Sequence, residues 1–264
     1  MATVQHVIIR GKNGGVMRLR GKTALITGSS KGIGRAVAIG FAKERANLFL
    51  TAKDDRQGLE ATLEEVRSLG VKGEGGLYDA TNLNDVEKLM DGVERTYGTL
   101  DVLVNNAGII KPTPFWELQP EQFERTVRTH LFGTYYHTWA ATKRFMIPKS
   151  SGKVINLAAP AAFRGVFGVA DYASAKGGIV AFTKNVAHEL IPYNIQVNAV
   201  VPVAETRMTD ALSGFYADRF GAAEGKRLQN LPKAERLVGT FVYFASPDSD
   251  YVTGQVLAAD GGMY

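Results

Sequence analysis

Two side chains with complementary proton chemistry stand four residues apart in the sequence, Tyr172 and Lys176. A tyrosine has a reference pKa of ~10, so on its own it is a poor base at neutral pH. A lysine one helical turn later lies on the same helix face, where its positive charge stabilises the phenolate. The spacing therefore predicts a proton-exchanging pair on a helix.

A glycine-rich turn near the start of the chain is the second candidate for chemistry. Gly28, Gly32 and Gly34 lie between a short apolar strand and a helix, where backbone N–H groups can meet the phosphates of a dinucleotide. The spacing is Gly-x-x-x-Gly-x-Gly rather than the commoner Gly-x-Gly-x-x-Gly. Such a turn is often only a loop, but its strand–turn–helix context favours a pyrophosphate site.

Short apolar strands alternate with helical segments along most of the chain, which indicates a parallel sheet covered on both faces. We therefore expect a single-domain α/β protein, a doubly wound Rossmann fold with a parallel sheet and helices on both faces. The predicted strands are 22–27, 48–52, 76–78, 101–104, 154–157, 195–200 and 255–258, and the predicted helices are 35–45, 59–69, 85–97, 121–146, 173–190 and 237–244.

Two segments stand apart from this alternation. Residues 208–233 are rich in irregular and aromatic sequence, which predicts a mobile cover over the site. Residues 1–20 precede the domain, which spans 21–264, and are expected to form an N-terminal arm. Apolar runs flank Asn13-Gly14, a strong hairpin signal; a disordered leader is the alternative.

The composition limits which other classes of protein are possible. Of 264 residues, 45% are hydrophobic and 22% charged, so a folded globular protein is expected, and the absence of cysteine excludes disulfides and thiolate metal sites. No apolar run approaches the ~20 residues of a membrane span. The net charge of +5 is concentrated before Glu44, the first acidic residue. Without basic–aromatic interleaving, a local anion site explains this better than nucleic-acid binding. We expect a cytoplasmic protein with no metal, membrane or nucleic-acid partner.

Four motifs stand in order along the chain: Thr27-Gly28-x-x-x-Gly32-Ile33-Gly34, Asn105-Asn106-Ala107-Gly108, Tyr172-x-x-x-Lys176 and Asp260-Gly261-Gly262. Together they resemble the short-chain dehydrogenase/reductase family, of the 3-oxoacyl reductase type. They cover residues 21–264 in the family's order and roughly its spacing, and the resemblance implies hydride exchange between a nicotinamide dinucleotide and a ketone or secondary alcohol. Tyr172 is then the proton donor or acceptor, and Lys176 supports it. A homotetramer is implied by the same resemblance.

The resemblance also implies a set of cofactor-binding residues. Asp79 matches the family's adenine-binding acid, and Thr206 matches the residue that holds the nicotinamide carboxamide. The whole set is Gly28, Ser30, Lys31, Gly32, Ile33, Gly34, Lys53, Asp79, Ala80, Asn106, Ala107, Gly108, Tyr172, Lys176 and Thr206.

The end of the second strand bears on the choice between NAD(H) and NADP(H). Ala52 stands where the family's NAD users often have an acid, and Lys53 follows it. Lys31 in the glycine-rich turn adds a second cation, and two lysines favour the 2′-phosphate of NADP(H). Asp54 and Asp55 weaken this argument because either can reach back. On balance the sequence favours NADP(H) over NAD(H), and solvated lysines are the alternative.

Two positions depart from the family's pattern. Ala159 stands thirteen residues before Tyr172, where the family usually has a serine that holds the substrate oxygen. Losing one such donor can cost on the order of 10²-fold in rate. His130 stands where the family usually has an asparagine that holds a water in a proton relay. Imidazole can also donate and accept, so His130 is either a catalytic substitute or a histidine packed beside the core.

These departures leave three interpretations. The protein is a working enzyme in which another group replaces the serine, a relative that binds cofactor and reacts slowly or not at all, or a sequence with engineered changes. We favour the first because Tyr172 and Lys176 are both present.

The substrate side gives fewer signals. The stretch from Pro202 to Thr209 resembles the dehydrogenase units of peroxisomal multifunctional enzymes, which implies a 3-hydroxyacyl thioester as one candidate substrate. Trp116, Phe163 and Phe167 are expected to line an apolar pocket, with core or subunit interface as the alternative.

Overall fold

The structure is a computed structural model that describes residues 17–226 and 229–263. Within these ranges seven strands form one sheet in which every neighbouring pair is parallel. The strands are β1 Thr23–Ile26, β2 Asn47–Ala52, β3 Gly73–Leu77, β4 Val102–Asn105, β5 Gly152–Leu157, β6 Ile195–Pro202 and β7 Val256–Ala259. Their order across the sheet is β3-β2-β1-β4-β5-β6-β7.

Helices cover both faces of this sheet. Two π-helical turns, Arg128–Phe132 and Thr142–Met146, extend the helices that precede them. Short 3₁₀ turns lie at Phe115–Glu117, Pro160–Ala162, Ile191–Tyr193, Ala234–Leu237 and Pro247–Ser249. The helices are α1 Gly32–Lys43, α2 Arg56–Ser68, α3 Leu83–Tyr97, α4 Pro120–Val127, α5 Gly133–Ala141, α6 Ala170–Glu189, α7 Arg207–Phe220, α8 Ala222–Lys226 and α9 Val238–Ala245.

Two apolar layers hold the helices to the sheet. On one face Phe41 of α1 and Phe241 of α9 are fully buried against the strands, and on the other face Leu89 and Met90 of α3 are fully buried. Strands buried on both faces are apolar at nearly every position, as β1 and β4 are. The predicted doubly wound α/β fold is confirmed.

The sheet order reverses between β1 and β4, and this fixes the place of the site. Chain connections leave these two neighbouring strands toward opposite faces, so a crevice opens beyond their carboxyl ends. The glycine-rich turn follows β1, and the segments that carry the other predicted residues follow the strands from β2 to β6. One crevice therefore collects motifs that are far apart in the sequence.

The predicted irregular cover over residues 208–233 is wrong in its secondary structure, because α7 and α8 occupy most of it. Thr206 begins α7 as its N-cap in a capping box with Thr209. Gly214 lies inside α7 and weakens the helical signal of the sequence, since glycine is a poor helix former. The helix ends at Gly221, whose φ is +93°.

The predicted hairpin lies mostly outside the described residues. Within them, residues 18–21 form a turn rather than a strand. Leu19 is fully buried in the core, and Arg18 pairs with Glu44 at 2.8 Å. The last residues of the expected arm thus pack on the domain. In the part of the chain that the structure describes, no helix has the length and apolar character of a membrane span.

Candidate active site

The glycine-rich turn is tied to the segment that follows β4. Asn106 Nδ2 donates to the carbonyl oxygens of Thr27 and Gly28, both at 2.8 Å. Thr27 Oγ1 accepts from the backbone N–H groups of Asn106 and Ala107, both at 3.0 Å. The two motifs therefore form one rigid floor at the point where the sheet order reverses.

Glycine is required at two positions of this turn. A Cβ on Gly28, whose φ is +65°, would lie 2.8 Å from the Ala107 Cα, and a Cβ on Gly34 would lie 2.4 Å from the Gly28 carbonyl oxygen. Both contacts involve backbone, which cannot move aside cheaply. Gly34 lies behind the turn rather than in the cleft wall, so its part in the turn is close packing.

A cleft of about 1390 Å³ lies between the carboxyl ends of the strands and α7. It brings together the predicted catalytic residues and, apart from Gly34, the predicted cofactor residues. Those lining it are Gly28, Ser30, Lys31, Gly32, Ile33, Lys53, Asp79, Ala80, Asn106, Ala107, Gly108, His130, Tyr172, Lys176 and Thr206. Among the described residues, no group of three or more His, Cys, Asp or Glu is placed to hold a metal ion.

Both lysines expected near a 2′-phosphate are paired with carboxylates. Lys31 Nζ lies 3.1 Å from Asp55 Oδ2, and Lys53 Nζ lies 2.6 Å from Asp79 Oδ2. The Lys31 ammonium and the Gly58 N–H lower the pKa of Asp55. Burial raises the pKa of Asp79, but hydrogen bonds from Lys53 and Thr81 outweigh it, so that this pKa is lowered on balance. The sequence left open whether Asp54 or Asp55 reaches back; Asp55 does.

Tyr172 and Lys176 lie in the first two turns of α6. Lys176 Nζ lies 5.5 Å from the centroid of the Tyr172 ring and donates to the Leu157 carbonyl oxygen at 2.6 Å. Burial lowers the pKa of Lys176 to about 7 and raises the pKa of Tyr172. The tyrosine shift is opposite to the one expected from the spacing, because burial penalises the phenolate and the lysine is directed toward a carbonyl.

Asp171 anchors the beginning of α6, and sequence reasoning missed it. This buried carboxylate accepts from the Tyr172 N–H at 2.7 Å through Oδ1. Its Oδ2 accepts from Thr126 Oγ1 at 2.8 Å and from Gln122 Nε2 at 3.3 Å, both on α4. The available signal was an acid in the first turn of a helix, directly before the tyrosine.

His130 is buried beside the tyrosine at the π-helical turn between α4 and α5. Its ring meets the Tyr172 ring edge to face, with centroids 5.1 Å apart, and Nε2 lies 2.7 Å from the Ile109 carbonyl oxygen. Its Nδ1 is buried, and among the described residues it has no hydrogen-bond partner. Burial and the Lys176 charge lower the pKa of His130 to about 3, so the ring is neutral. A Cβ on Gly108 would lie 2.3 Å from the ring, so glycine is what admits it.

Ala159 lies in the cleft wall directly after β5. Its backbone is extended, with φ −160° and ψ 159°, and its side chain is buried. The 3₁₀ turn Pro160–Ala162 follows and also lines the cleft. The position that the resemblance assigns to a substrate-binding hydroxyl is thus in the expected place and carries only a methyl group.

The cover helix α7 closes the far side of the cleft. Phe167 lines the cleft, whereas Trp116 and Phe163 do not; they are exposed, and Trp116 contacts Phe167 from outside. Thr206 lines the cleft, but its hydroxyl already accepts a hydrogen bond from the Thr209 N–H at 3.3 Å as the helix cap. Of the three aromatic residues predicted to line an apolar pocket, one, Phe167, therefore lines the cleft.

The chain is similar in sequence to a known family and to several of its members. Residues 28–264 match a family model described as enoyl-(acyl carrier protein) reductase. The chain is 33% identical to the 3-oxoacyl-[acyl-carrier-protein] reductase FabG of Thermotoga maritima over 257 residues, which covers 94% of this chain and 99% of the relative. It is also 33% identical to FabG of Escherichia coli K12 over 249 residues, with the same coverage.

Solved structures with the same architecture include both reductases and dehydrogenases. Levodione reductase superposes with a TM-score of 0.88 at 28% identity, covering 93% of this chain and 98% of that one. NAD+-bound xylitol dehydrogenase superposes with a TM-score of 0.86 at 27% identity, covering 92% of this chain and 99% of that one. A variant of actinorhodin polyketide ketoreductase with NADPH superposes with a TM-score of 0.86 at 31% identity, covering 91% of this chain and 96% of that one.

Proposed function

We propose that this chain, which belongs to the short-chain dehydrogenase/reductase family of NAD(P)-dependent oxidoreductases, reduces an apolar ketone with Tyr172 as the proton donor. The observation that carries the proposal is that Tyr172 and Lys176 line the same cleft as the glycine-rich turn. A proton donor and a dinucleotide cradle in one cleft are what carbonyl reduction requires. Oxidation of the corresponding secondary alcohol is the reverse of the same reaction.

The residues of the cradle fit a nicotinamide dinucleotide. Gly28 and Gly34 let the turn pack closely, since a Cβ on either would collide with protein backbone, and Gly32 lines the cleft with a positive φ of +57° at the beginning of α1. Backbone N–H groups at a helix N-terminus suit a pyrophosphate. Asp79 and Ala80 would hold the adenine end, and Asn106 to Gly108, Lys176 and Thr206 the nicotinamide end. When bound, the dinucleotide supplies the hydride for the substrate carbon.

We propose NADP(H) as the preferred cofactor, with a modest margin over NAD(H). Lys31 in the glycine-rich turn and Lys53 after β2 both line the cleft and are partly exposed, which supports contact with a 2′-phosphate. Because each lysine is paired with a carboxylate, the phosphate must compete with Asp55 and Asp79. A phosphate carries more charge than a single carboxylate and offers three acceptor oxygens, which favours the exchange.

Tyr172 carries the proton that reduction of a carbonyl requires. Since burial raises its pKa, the phenol is protonated throughout the neutral range, which is the state that reduction requires. The Lys176 ammonium, whose pKa is about 7, adds positive charge beside the ring while it is protonated. The pair is therefore in the protonation state from which reduction begins.

His130 has two roles open to it. Its neutral ring contacts Tyr172, and its buried Nδ1, which has no partner among the residues described, can accept from a water; this supports the proton relay. Its Nε2 contact with the Ile109 backbone and its complete burial equally suit a packing role. We propose the relay, in which His130 acts in the place of the family's asparagine.

The rival function is a dinucleotide-binding protein with weak or no catalysis. Ala159 supports this rival, because a methyl group cannot hold the substrate oxygen. The retention of the whole Tyr172 and Lys176 arrangement in a cleft of this size favours the enzyme. A working reductase then takes its second contact to the substrate oxygen from another group, on the protein or on the substrate.

For the substrate we propose an apolar ketone, with a 3-oxoacyl thioester as one candidate. The cleft wall beyond Tyr172 includes Ile109, Val166, Phe167 and Leu212. Apolar walls of this kind bind a hydrocarbon chain or ring by burying it. The two FabG relatives are named as 3-oxoacyl-[acyl-carrier-protein] reductases, which supports the acyl candidate.

Assembly and location also remain proposals. Phe123, Phe132 and Tyr135 project exposed rings from the helical segment 120–146, and apolar side chains of this kind support the homotetramer that the resemblance implies. We also retain the prediction of a cytoplasmic protein. Light scattering of the purified protein would determine its mass.

The deciding experiment is oxidation of NADPH by a panel of ketones, compared between wild type and Tyr172→Phe. We expect turnover with at least one apolar ketone and a loss of about 10²- to 10⁴-fold in the variant, because a phenyl ring has no proton to donate. NADPH affinity should be unchanged. Tight NADPH binding without turnover on the whole panel would favour the rival.

A further inference from the structure

The Phe167 ring lies at a junction between the cleft and the aromatic side chains behind it. It lines the cleft, while its centroid lies 5.1 Å from that of Phe220 and 6.1 Å from that of Phe215, both on α7. From a third direction the Trp116 ring meets it edge to face at 6.0 Å. The position of this one ring therefore depends on contacts with two separate segments.

Arg219 of α7 joins those segments. Its Cζ lies 5.5 Å from the Trp116 ring centroid and 5.8 Å from the Phe167 ring centroid. Its Nη1 lies 3.4 Å from Glu117 Oε1. An exposed ion pair of this length adds little stability, so the stacking of the guanidinium against two aromatic rings is the stronger interaction.

The backbone that carries Phe167 is held in the same region. Gly168 has φ +79°, and a Cβ there would lie 2.6 Å from the Phe215 ring. The Gly168 carbonyl oxygen accepts from the Thr113 N–H at 2.7 Å, and the Tyr216 hydroxyl donates to the Phe167 carbonyl oxygen at 3.3 Å. These bonds fix the main chain, whereas the outer side of the Phe167 ring is covered by Trp116 and Arg219.

We propose that Arg219 is a positioning residue for the substrate end of the cleft. It clasps α7 to the segments 115–117 and 163–169, and by doing so holds the Phe167 ring in the cleft wall. The substrate then bears an apolar group that packs on this ring, and the clasp keeps the ring in place for that contact. The consequence for substrate choice rests on the proposed function; the clasp itself does not.

Two variants and one control separate these claims. Arg219→Gln removes the charge and the planar guanidinium at similar length, and Arg219→Lys keeps the charge alone. Lys143→Gln is the matched control, because Lys143 Nζ lies 4.8 Å from the ring centroid of Trp139 and touches no part of the clasp. Hydrogen–deuterium exchange measures how often 163–169 and α7 open. The KM values for a small and a bulky aryl ketone show whether the cleft wall at Phe167 has been disturbed.

The expected result in Arg219→Gln is exchange about threefold faster in 163–169 and α7 alone, since a cation–π contact at an exposed site is worth about half a decade in an equilibrium constant. The KM for the bulky ketone should rise by a similar factor while kcat stays within about twofold, because only the wall is displaced. Arg219→Lys should fall between wild type and Arg219→Gln. Lys143→Gln should behave as wild type.

Three outcomes would overturn the proposal. Unchanged exchange in both segments would show that Arg219 does not hold them together. Faster exchange across the whole sheet would make Arg219 a general stability residue. Faster local exchange with an unchanged KM for both ketones would show that Arg219 does not affect the cleft wall that the substrate contacts. If the wild type turned over no ketone at all, local loosening would still support the clasp, and only the proposed function would fail.

Discussion

Lys53 Nζ and Asp79 Oδ2 lie 2.6 Å apart, so the cation expected to contact a ribose 2′-phosphate is neutralised by the carboxylate expected to contact adenine. Lys31 is neutralised by Asp55 in the same way at 3.1 Å. The local charge near the end of β2 is therefore much less positive than the two lysines alone suggest. Cofactor preference becomes a competition between phosphate and carboxylate for the same ammonium groups.

Lys53→Ala tests that competition. We expect the Kd for NADPH to rise by about tenfold and the Kd for NADH to change little, because only the former carries the 2′-phosphate. Fluorescence titration of both reduced dinucleotides measures the two constants. Lys72→Ala, at an exposed lysine away from the cleft, is the control. Equal weakening of both dinucleotides would refute the preference for NADP(H).

Ala159→Ser tests whether the native site lacks a needed donor. The extended backbone at this position accepts serine without strain. If another group already contacts the substrate oxygen, as we propose, kcat/KM should change by less than about tenfold, whereas an impaired site should gain about 10²-fold. Steady-state rates with the best ketone of the panel decide between them. Ala161→Ser adds a hydroxyl elsewhere in the same wall and serves as the control.

Asp171→Asn tests the anchor of α6. The carboxylate accepts three hydrogen bonds, including those from the Tyr172 N–H and Thr126 Oγ1, and an amide replaces part of this acceptor by a donor. We expect a loss of about 2 kcal/mol in the free energy of unfolding and a lower kcat, with NADPH affinity retained. Denaturant unfolding and kinetics measure these. Glu189→Gln at the exposed end of the same helix should change neither; a normal kcat in Asp171→Asn would contradict the positioning role.

The expected pH dependence of the activity follows from the titration of the Lys176 ammonium. The folded protein lowers the pKa of this lysine to about 7, so its ammonium is present below that pH and lost above it. Tyr172 has a raised pKa and His130 a pKa of about 3, so neither changes charge between pH 5 and 9. We therefore expect kcat/KM for NADPH, which reports the free enzyme, to fall as pH rises through about 7. A profile that is flat from pH 5 to 9 would be inconsistent with this assignment.

The sequence determined the elements and the type of site. The all-buried β1 and β4 are apolar at nearly every position, and the turn between β1 and α1 carries glycines that only close backbone contacts explain. These are properties of neighbouring residues, and local patterns report them. The helix α7 was missed because Gly214 weakens its pattern, while the capping by Thr206 that starts it is a contact between side chain and backbone.

Only the tertiary structure decided which side chains meet. Thr126 and Asp171 are 45 residues apart in sequence, and Glu117 and Arg219 are 102 apart. Such pairs form because parallel strands with helical crossovers bring their carboxyl ends to one edge of the sheet, and no local pattern encodes that meeting. The same holds for the burial that lowers the pKa of Lys176, since burial is set by every segment packed around a group rather than by its own neighbours. The sequence by itself placed Tyr172 and Lys176 on one helix face, and the fold around that helix set their protonation.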